Sequence, residues 1–148
     1  MTPDQAVLVR ASWPAAAANA ATLTANFYNH LFAIDESAAR LFAGVDMATQ
    51  RTKLAQTLHV VVASIDDPER LLPAIAALGR RHVNYHVEDR HFDSVGEALV
   101  AALHDTLGDA LTPDVREAWA DAYALIASVM RRALLRAIDP SVPSTRPR

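Results

Sequence analysis

The stretch LGRRHVNYHVEDRHFDSVGEALVAALHDTLGD, residues 78–109, decides how this chain is interpreted. Its first part predicts the end of a helix, where His82 and His86 stand four residues apart and therefore share a helical face. Two histidines at this spacing can share a zinc ion, but zinc needs a third and usually a fourth ligand. The nearest candidates, Glu88 and His91, lie beyond the predicted helix end, and no spacing fixes them.

The phase of the helix gives the two histidines unequal roles. One apolar stripe runs along this helix through Leu71, Ile75 and Leu78. His82 is the next position of the same stripe, so it replaces an apolar residue on a buried face. His86 falls near the helix end, where it can tilt towards solvent. A buried imidazole needs a partner, and both an iron atom in a large apolar cofactor and a hydrogen-bonding side chain would supply one.

Composition narrows the class of protein. The chain has 148 residues, of which 51% are hydrophobic, and this suits one domain with a sizeable core. With a formal net charge of −3, the chain lacks the excess of basic residues that is typical of nucleic-acid-binding proteins. The absence of cysteine excludes disulfides, cysteine zinc sites, iron–sulfur clusters and haem attachment through C-x-x-C-H. Neither a membrane-spanning run nor a signal peptide is visible, so we expect a cytoplasmic protein.

Motifs for enzyme chemistry are missing from the sequence. The four glycines are scattered, so there is no glycine-rich phosphate loop, and neither G-x-S-x-G nor H-E-x-x-H occurs. Acidic pairs such as Asp66-Asp67 and Glu88-Asp89 fall in predicted turns, where solvated charges are the expected role.

Helical periodicity runs through most of the chain. The sequence is rich in Ala and Leu, which are good helix formers, and it lacks the alternating pattern of strands. Thr2-Pro3-Asp4 and Thr112-Pro113-Asp114 mark two helix starts, because a capping side chain precedes a proline at the first helical position. Pro14 and Pro73 lie inside apolar stretches and predict a kink or a split helix. Together, these patterns predict an all-α fold of six to eight helices.

The domain boundary falls where the helical pattern ends. Residues 139–148, DPSVPSTRPR, contain three prolines, which forbid a regular helix. We therefore expect one domain over residues 1–138 and a disordered tail over residues 139–148.

Five segments in order resemble the globin family, in particular the bacterial single-domain haemoglobins related to the globin part of flavohaemoglobins. The strongest is the stretch 78–109 quoted above, which is also similar to neuroglobin and to Hell's Gate globin. The other segments are ANFYNHLF (25–32), ARLFAG (39–44), QRTKLAQTL (50–58) and REAWADAYALIASVM (116–130). The resemblance covers roughly residues 2 to 138. It implies the globin fold, a 3-over-3 helical sandwich around a non-covalently bound haem b.

The resemblance implies roles for the residues nearest the iron. His82 corresponds to the proximal ligand, and the carbonyl of Leu78, one turn back, is expected to orient its ring. Tyr28 and Gln50 correspond to distal residues that face a bound gas, where their phenol and amide donors imply slow release of O2. Leu54 corresponds to the apolar residue that lies over the same pocket.

Five further residues are expected to contact the haem through its ring or its propionates. Phe42 corresponds to the phenylalanine that packs on the haem face. Phe92 and Val95 are expected contacts from the helix that follows the proximal histidine. Arg81 and Lys53 are expected partners of the propionates, with solvated surface charge as the alternative role.

Two positions depart from the flavohaemoglobin pattern. Those globins carry a tyrosine and a glutamate beside the proximal histidine, and here Phe92 and Leu134 stand in their places. Neither side chain can hold a charge, so we expect a proximal imidazole of neutral character. The expected function is therefore reversible binding of O2, CO and NO by a carrier, store or sensor, rather than peroxidase-like chemistry.

Two other functions stay open. An NO dioxygenase is the alternative, and it would need an external reductase as partner, because the chain ends near residue 148. A zinc-binding or purely structural helical bundle is the third hypothesis. We expect a monomer or a weak homodimer, with no nucleic-acid or membrane partner.

Overall fold

The structure, a computed structural model, describes residues 1–82 and 87–138. These residues form seven α-helices and one 3-10 turn, with no strand among them. The helices are α1 (Pro3–Ala17), α2 (Ala20–Ile34), α3 (Glu36–Leu41), α4 (Met47–Ala63), α5 (Pro68–Arg81), α6 (Asp89–Leu107) and α7 (Pro113–Ile138), and the 3-10 turn is Gly108–Ala110. None of these described helices is both long and apolar enough to cross a membrane. The predicted all-α fold of six to eight helices is confirmed.

Both predicted helix starts are capped as their sequence indicates. The hydroxyl of Thr2 accepts a hydrogen bond from the backbone N–H of Gln5 over 3.2 Å, and the side chain of Gln5 accepts one in return from Thr2 over 2.9 Å. At the start of α7, the hydroxyl of Thr112 accepts from the backbone N–H of Val115 over 3.3 Å. These bonds satisfy N–H groups that the first turn of a helix leaves without partners.

The two internal prolines do not divide their helices. Pro14 lies inside α1 and Pro73 lies inside α5, and each helix is continuous, so the predicted split is wrong at both positions. A proline removes one N–H donor from the helix, and packing of the buried face outweighs that loss. In α1 the buried Val9 and Trp13 precede the proline, and in α5 the buried Ile75 follows it.

The core lies where three helix pairs pack together. α2 packs against α6, and α7 packs against both α5 and α1. Trp13 and Trp119 lie at the α1–α7 contact, with ring centroids 6.1 Å apart. The indole N–H of Trp119 donates to the hydroxyl of Ser12 over 2.9 Å, so its polar atom is satisfied inside the packed interface.

Gly79 allows α5 to approach α7 closely. A Cβ at this position would lie 2.8 Å from the carbonyl oxygen of Met130 and 3.0 Å from the Cβ of Ala133. Only glycine leaves room for the two helices at this separation. The crossing lies three residues before His82, and it therefore fixes the position of the end of α5.

Two groups of predictions lie outside the described residues. Residues 83–86, which include His86, follow the last residue that the structure describes near the end of α5. The proline-rich tail 139–148 follows α7. The expectations for His86 and for the tail therefore stay predictions.

Candidate functional site

His82 stands at the C-terminal end of α5, where it is half-buried. Its Nδ1 lies 2.7 Å from the carbonyl oxygen of Leu78, one turn back along the helix. A carbonyl oxygen only accepts, so the ring proton is on Nδ1, and in the neutral imidazole Nε2 then carries the lone pair that can bind a metal. The predicted contact between Leu78 and the imidazole is present, and it orients the ring.

Burial keeps the imidazole of His82 uncharged. Removal from water lowers the pKa of His82 below its ordinary value of 6.5, the hydrogen bond to Leu78 raises it, and the nearby positive charge of Arg81 lowers it. The net shift is downward, so the neutral form prevails at neutral pH. Neutral imidazole is the form that binds iron and zinc.

Tyr28 and Gln50 lie side by side although 22 residues separate them in the chain. Tyr28 is buried in α2, with 5% of its surface exposed, and Gln50 is half-buried in the first turn of α4. Nε2 of Gln50 donates a hydrogen bond to the phenol oxygen of Tyr28 over 3.2 Å. Within the part of the chain that the structure describes, the phenol proton itself has no acceptor.

The phenol of Tyr28 is held in its neutral form. Burial raises its pKa above the ordinary value of 10.0, and the hydrogen bond from Gln50 and the positive charge of Arg51 act in the opposite direction. The net shift is upward, so Tyr28 is a proton donor rather than a phenolate at neutral pH. Sequence analysis did not single out Arg51, whose half-buried side chain adds positive charge near Tyr28.

Phe42 follows α3 directly and packs against Tyr28. Its ring centroid lies 5.4 Å from that of Tyr28, in an edge-on arrangement, and 5.6 Å from that of Phe32. Leu54 stands one turn after Gln50, on the same side of α4, and is half-buried against the core. The structure thus brings Tyr28, Gln50 and Phe42 together, with Leu54 beside them on α4.

Phe92 is fixed near the start of α6 by two residues of α7. The phenol of Tyr123 donates to the backbone carbonyl of Phe92 over 2.6 Å, and the guanidinium carbon of Arg131 lies 5.0 Å from the Phe92 ring centroid. Arg131 also pairs with Asp89 over 2.9 Å and with Asp93 over 3.0 Å. A cation over an aromatic face is attractive, so this arrangement holds the ring in place.

The two positions that depart from the flavohaemoglobin pattern are both buried and apolar. Phe92 is 5% exposed and Leu134 is 9% exposed, so neither places a charge inside the protein. Val95, nearly one turn after Phe92 on α6, is half-buried. Burial raises the pKa of the Tyr123 phenol, whose proton is already donated to a carbonyl, so this phenol also stays neutral.

Two exposed cations flank the candidate site. Arg81 precedes His82, and Lys53 precedes Leu54. Neither forms an ion pair with any residue of the ranges 1–82 and 87–138. Both therefore remain able to bind an external anionic group.

The side chains that the sequence assigned to the pocket suit a large apolar group. Several of them are only partly buried although they pack on the core, and these are Phe42, Leu54, Leu78 and Val95, with Phe32 beside them. Covering such surface is favourable because it removes apolar area from water. Apolar walls next to a neutral imidazole and a neutral phenol, with cations at the edge, fit a haem with its two propionates.

The zinc hypothesis gains no support from the described residues. Nδ1 of His91 accepts a hydrogen bond from the backbone N–H of Glu88 over 2.8 Å, and Nε2 lies 2.8 Å from the hydroxyl of Ser37. Both ring nitrogens are therefore engaged. Across residues 1–82 and 87–138, no three histidine or acidic side chains form a group that could hold a metal ion.

Sequence analysis did not predict that His91 reaches Ser37. Only the local half of this contact has a signal in the sequence, because His91 is the third residue after Glu88 at a helix start, a position from which side chains bond back to the cap. Ser37 lies 54 residues away in the chain, and no local pattern joins the two.

Comparison with known proteins assigns the fold to a family. The profile of the globin family matches residues 25–130. A flavohemoprotein of Deinococcus radiodurans is 34% identical over 132 residues, which are 88% of this chain and 33% of that protein. Flavohemoproteins of Bacillus subtilis and Xylella fastidiosa are 31% and 32% identical over 81% and 91% of this chain. The chain spans about a third of the length of these curated relatives.

Proposed function

Because this chain belongs to the globin family, we propose that it binds haem b non-covalently and holds O2, and also CO and NO, reversibly as a carrier, store or sensor. The predicted globin fold is thereby confirmed. The observation that carries the proposal is the pairing of Gln50 with a buried, neutral Tyr28 whose phenol proton is available to a ligand. A haem held by one axial histidine would supply an iron with one position for a diatomic gas.

We assign the axial position to His82. Its Nδ1–H donates to the carbonyl of Leu78, so the ring is oriented and the lone pair of the neutral imidazole lies on Nε2, the nitrogen that would bind the metal. The lowered pKa of the imidazole supports the same role, because a protonated ring could not bind.

We assign the gas-facing side to Tyr28 and Gln50. The amide of Gln50 donates to the phenol oxygen of Tyr28, so the phenol proton points away from Gln50. A bound gas with partial negative charge would be a good acceptor for this proton. Two donors at one ligand slow its release. Phe42 and Leu54 would keep water away from these donors.

We assign the propionate contacts to Arg81 and Lys53. Both cations are exposed beside site residues and form no ion pair within the described ranges, so their charges are available to anionic groups. Phe92, Val95 and the carbonyl side of Leu78 complete the proposed contacts on the proximal side.

The proximal side favours gas binding over oxidative catalysis. The side chains of Phe92 and Leu134 can neither accept a proton nor hold a charge, and the phenol of Tyr123 donates to the carbonyl of Phe92. Phe92 and Leu134 therefore cannot increase the electron density that an imidazole donates to a metal, as a carboxylate or phenol in their places could. In this proposal Tyr28 and Gln50 hold a ligand firmly, and these two positions do little to activate it.

NO dioxygenase activity is the second candidate, favoured by the likeness to proteins named flavohemoproteins. Such activity would need electrons from a reductase. Turnover of NO to nitrate by purified protein, O2 and a flavin reductase tests this candidate. A rate no faster than that of the reductase alone would exclude it.

Absorption spectra of the purified protein test the main proposal. A Soret band is expected in the ferric, reduced and CO-bound forms, and a stable O2-bound form is expected on exposure of reduced protein to O2. His82→Ala should abolish or shift this band. His104→Ala, which removes an exposed histidine of α6, is the matched control and should leave the spectra unchanged. A wild-type protein that takes up no haem would refute the proposal.

A further inference from the structure

His91 is a buried histidine whose ring proton is placed by its hydrogen bonds. Only 4% of its surface is exposed, and its Nδ1 accepts from the backbone N–H of Glu88 over 2.8 Å. A nitrogen that accepts carries no proton, so the ring proton lies on Nε2. This tautomer is the opposite of that in His82, where the proton lies on Nδ1.

The Nε2 proton begins a chain of hydrogen bonds that crosses from α6 to α3. Nε2–H of His91 donates to the hydroxyl oxygen of Ser37 over 2.8 Å, and the hydroxyl of Ser37 donates to Asp35 Oδ1 over 2.5 Å. The other oxygen of Asp35 accepts from the hydroxyl of Ser94, again on α6, over 3.0 Å. Asp35 is also the N-cap of α3, where it accepts from the backbone N–H of Ser37 over 3.0 Å.

This group contains the residue types of a hydrolytic triad without its geometry. In a triad the histidine accepts the proton of the serine, and the carboxylate bonds to the other nitrogen of the ring. Here Ser37 donates to Asp35 and accepts from His91, and the second nitrogen of His91 is occupied by a backbone N–H. His91 therefore cannot activate Ser37 as a nucleophile, and the group joins structural elements instead.

The two elements that it joins carry opposite walls of the proposed haem pocket. On α6, His91 directly precedes Phe92, the proximal side chain fixed by Tyr123 and Arg131. On the other side, α3 runs from its cap at Asp35 to Phe42, whose ring contacts the gas-facing Tyr28. The chain of hydrogen bonds thus sets the distance between the start of α6 and the start of α3.

We propose that His91 is a positioning residue, which through Ser37 and Asp35 sets the spacing of the Phe92 and Phe42 walls and thereby the place of the Tyr28 donor. This inference rests on the proposed function, because the effect of His91 is measured on a gas bound to the haem. His91 touches neither the haem nor the gas in this assignment. Its effect travels through α3 and Phe42.

The decisive variant is Ser37→Ala, which removes the bond from His91 to α3, keeps the separate bond from Ser94 to Asp35, and leaves His91 and Phe92 in place. In haem-loaded protein we expect a shifted C–O stretching frequency in the CO-bound form. We also expect O2 dissociation to be faster by about two- to tenfold, the change for a ligand hydrogen bond that is weakened rather than lost. Ser12→Ala is the matched control, since it removes a hydroxyl that accepts from Trp119 at the α1–α7 contact and belongs to neither α3 nor α6. It should leave both readouts unchanged.

A conservative pair separates positioning from bulk packing. The amide of Gln offers an acceptor and a donor side by side, as the neutral imidazole does, whereas Leu offers neither. His91→Gln should therefore keep a nearly wild-type stretching frequency, and His91→Leu should show the shift seen in Ser37→Ala. Equal readouts from Gln and Leu, or an unchanged frequency and dissociation rate in Ser37→Ala, would overturn the proposal.

Failure of the positioning role can be told from failure of the proposed function. If wild-type protein binds no haem, the proposed function is refuted. The hydrogen bonds from His91 through Ser37 to Asp35 are then tested in the haem-free protein. There, nitrogen NMR should show the Nε2–H tautomer of His91, and Ser37→Ala should speed amide hydrogen exchange in α3 but not in α1. An Nδ1–H tautomer, or exchange unchanged in α3, would overturn the link by itself.

Discussion

Gln50 donates its amide proton to the phenol oxygen of Tyr28 over 3.2 Å, joining the first turn of α4 to the middle of α2. The bond leaves the phenol proton for another acceptor and fixes the direction in which the ring points. The proposed retention of a bound gas depends on this relationship, since the donor is already oriented before a ligand arrives.

Tyr28→Phe removes the donor and keeps the ring. We expect O2 dissociation to be faster by about 10- to 100-fold, because up to two ligand hydrogen bonds depend on this pair. CO has less negative character, so its dissociation should change much less. Stopped-flow measurement of both gases checks the prediction. Equal effects on the two gases would reject the hydrogen-bonding role of Tyr28.

The ionisation of Tyr28 should occur only at strongly alkaline pH. Burial raises its pKa above 10.0, and the bond from Gln50 partly offsets that shift. Gln50→Leu removes the offset, so the phenolate should form at a still higher pH in this variant. Ultraviolet titration of phenolate absorbance, with Tyr28→Phe to identify the transition, measures both values. A Tyr28 transition below pH 10.0, or one that moves down in Gln50→Leu, would contradict the prediction.

Asp35 should stabilise the fold except in strong acid. The hydroxyl of Ser37, followed by further bonds from Ser94 and the backbone, lowers the pKa of Asp35 from 3.8 to about 2. A lowered carboxyl pKa contributes stability that is fully present above the unfolded value and is lost as pH falls through the folded value. The stability difference between wild type and Asp35→Asn should therefore be constant above about pH 4 and shrink towards pH 2.

Denaturant unfolding at a series of pH values measures this difference. Glu36→Gln removes an exposed carboxyl from the first turn of the same helix and is the matched control, with a smaller effect expected. A difference between wild type and Asp35→Asn that persists undiminished at pH 2 would show that charge on Asp35 contributes nothing.

Gly79→Ala should be destabilising although alanine favours helices. The added Cβ would lie 2.8 Å from the carbonyl oxygen of Met130, and backbone atoms cannot move aside as a flexible side chain can. We expect a loss of about 1–3 kcal/mol in the free energy of unfolding, as for other overpacked contacts. Ala74→Ser adds one atom to an exposed position of the same helix, and its effect should stay within about 0.5 kcal/mol. A Gly79→Ala protein as stable as wild type would show that α5 and α7 separate easily.

The amino-acid sequence by itself determined the class of fold and the helical stripe on which His82 lies. Helical periodicity, abundant alanine and leucine, and capping threonines are local signals, and they predicted an all-α chain whose described part has seven helices. The phase of the Leu71–Ile75–Leu78 stripe predicted a buried position at 82, and His82 is half-buried, with its ring bonded to the carbonyl of Leu78 one turn back. These successes share a physical basis, since each depends on neighbours within one or two helical turns.

Only the tertiary structure decided features that depend on distant residues. The sequence predicted a kink or a split at Pro14 and Pro73, but both helices are continuous, because the packing of buried side chains outweighs the loss of one hydrogen bond at each. The contact of His91 with Ser37 bridges 54 residues, and the need for glycine at position 79 arises from a helix 51 residues further along, at Met130. Local patterns do not show which helical surfaces come together, because that depends on how the described helices pack around one core.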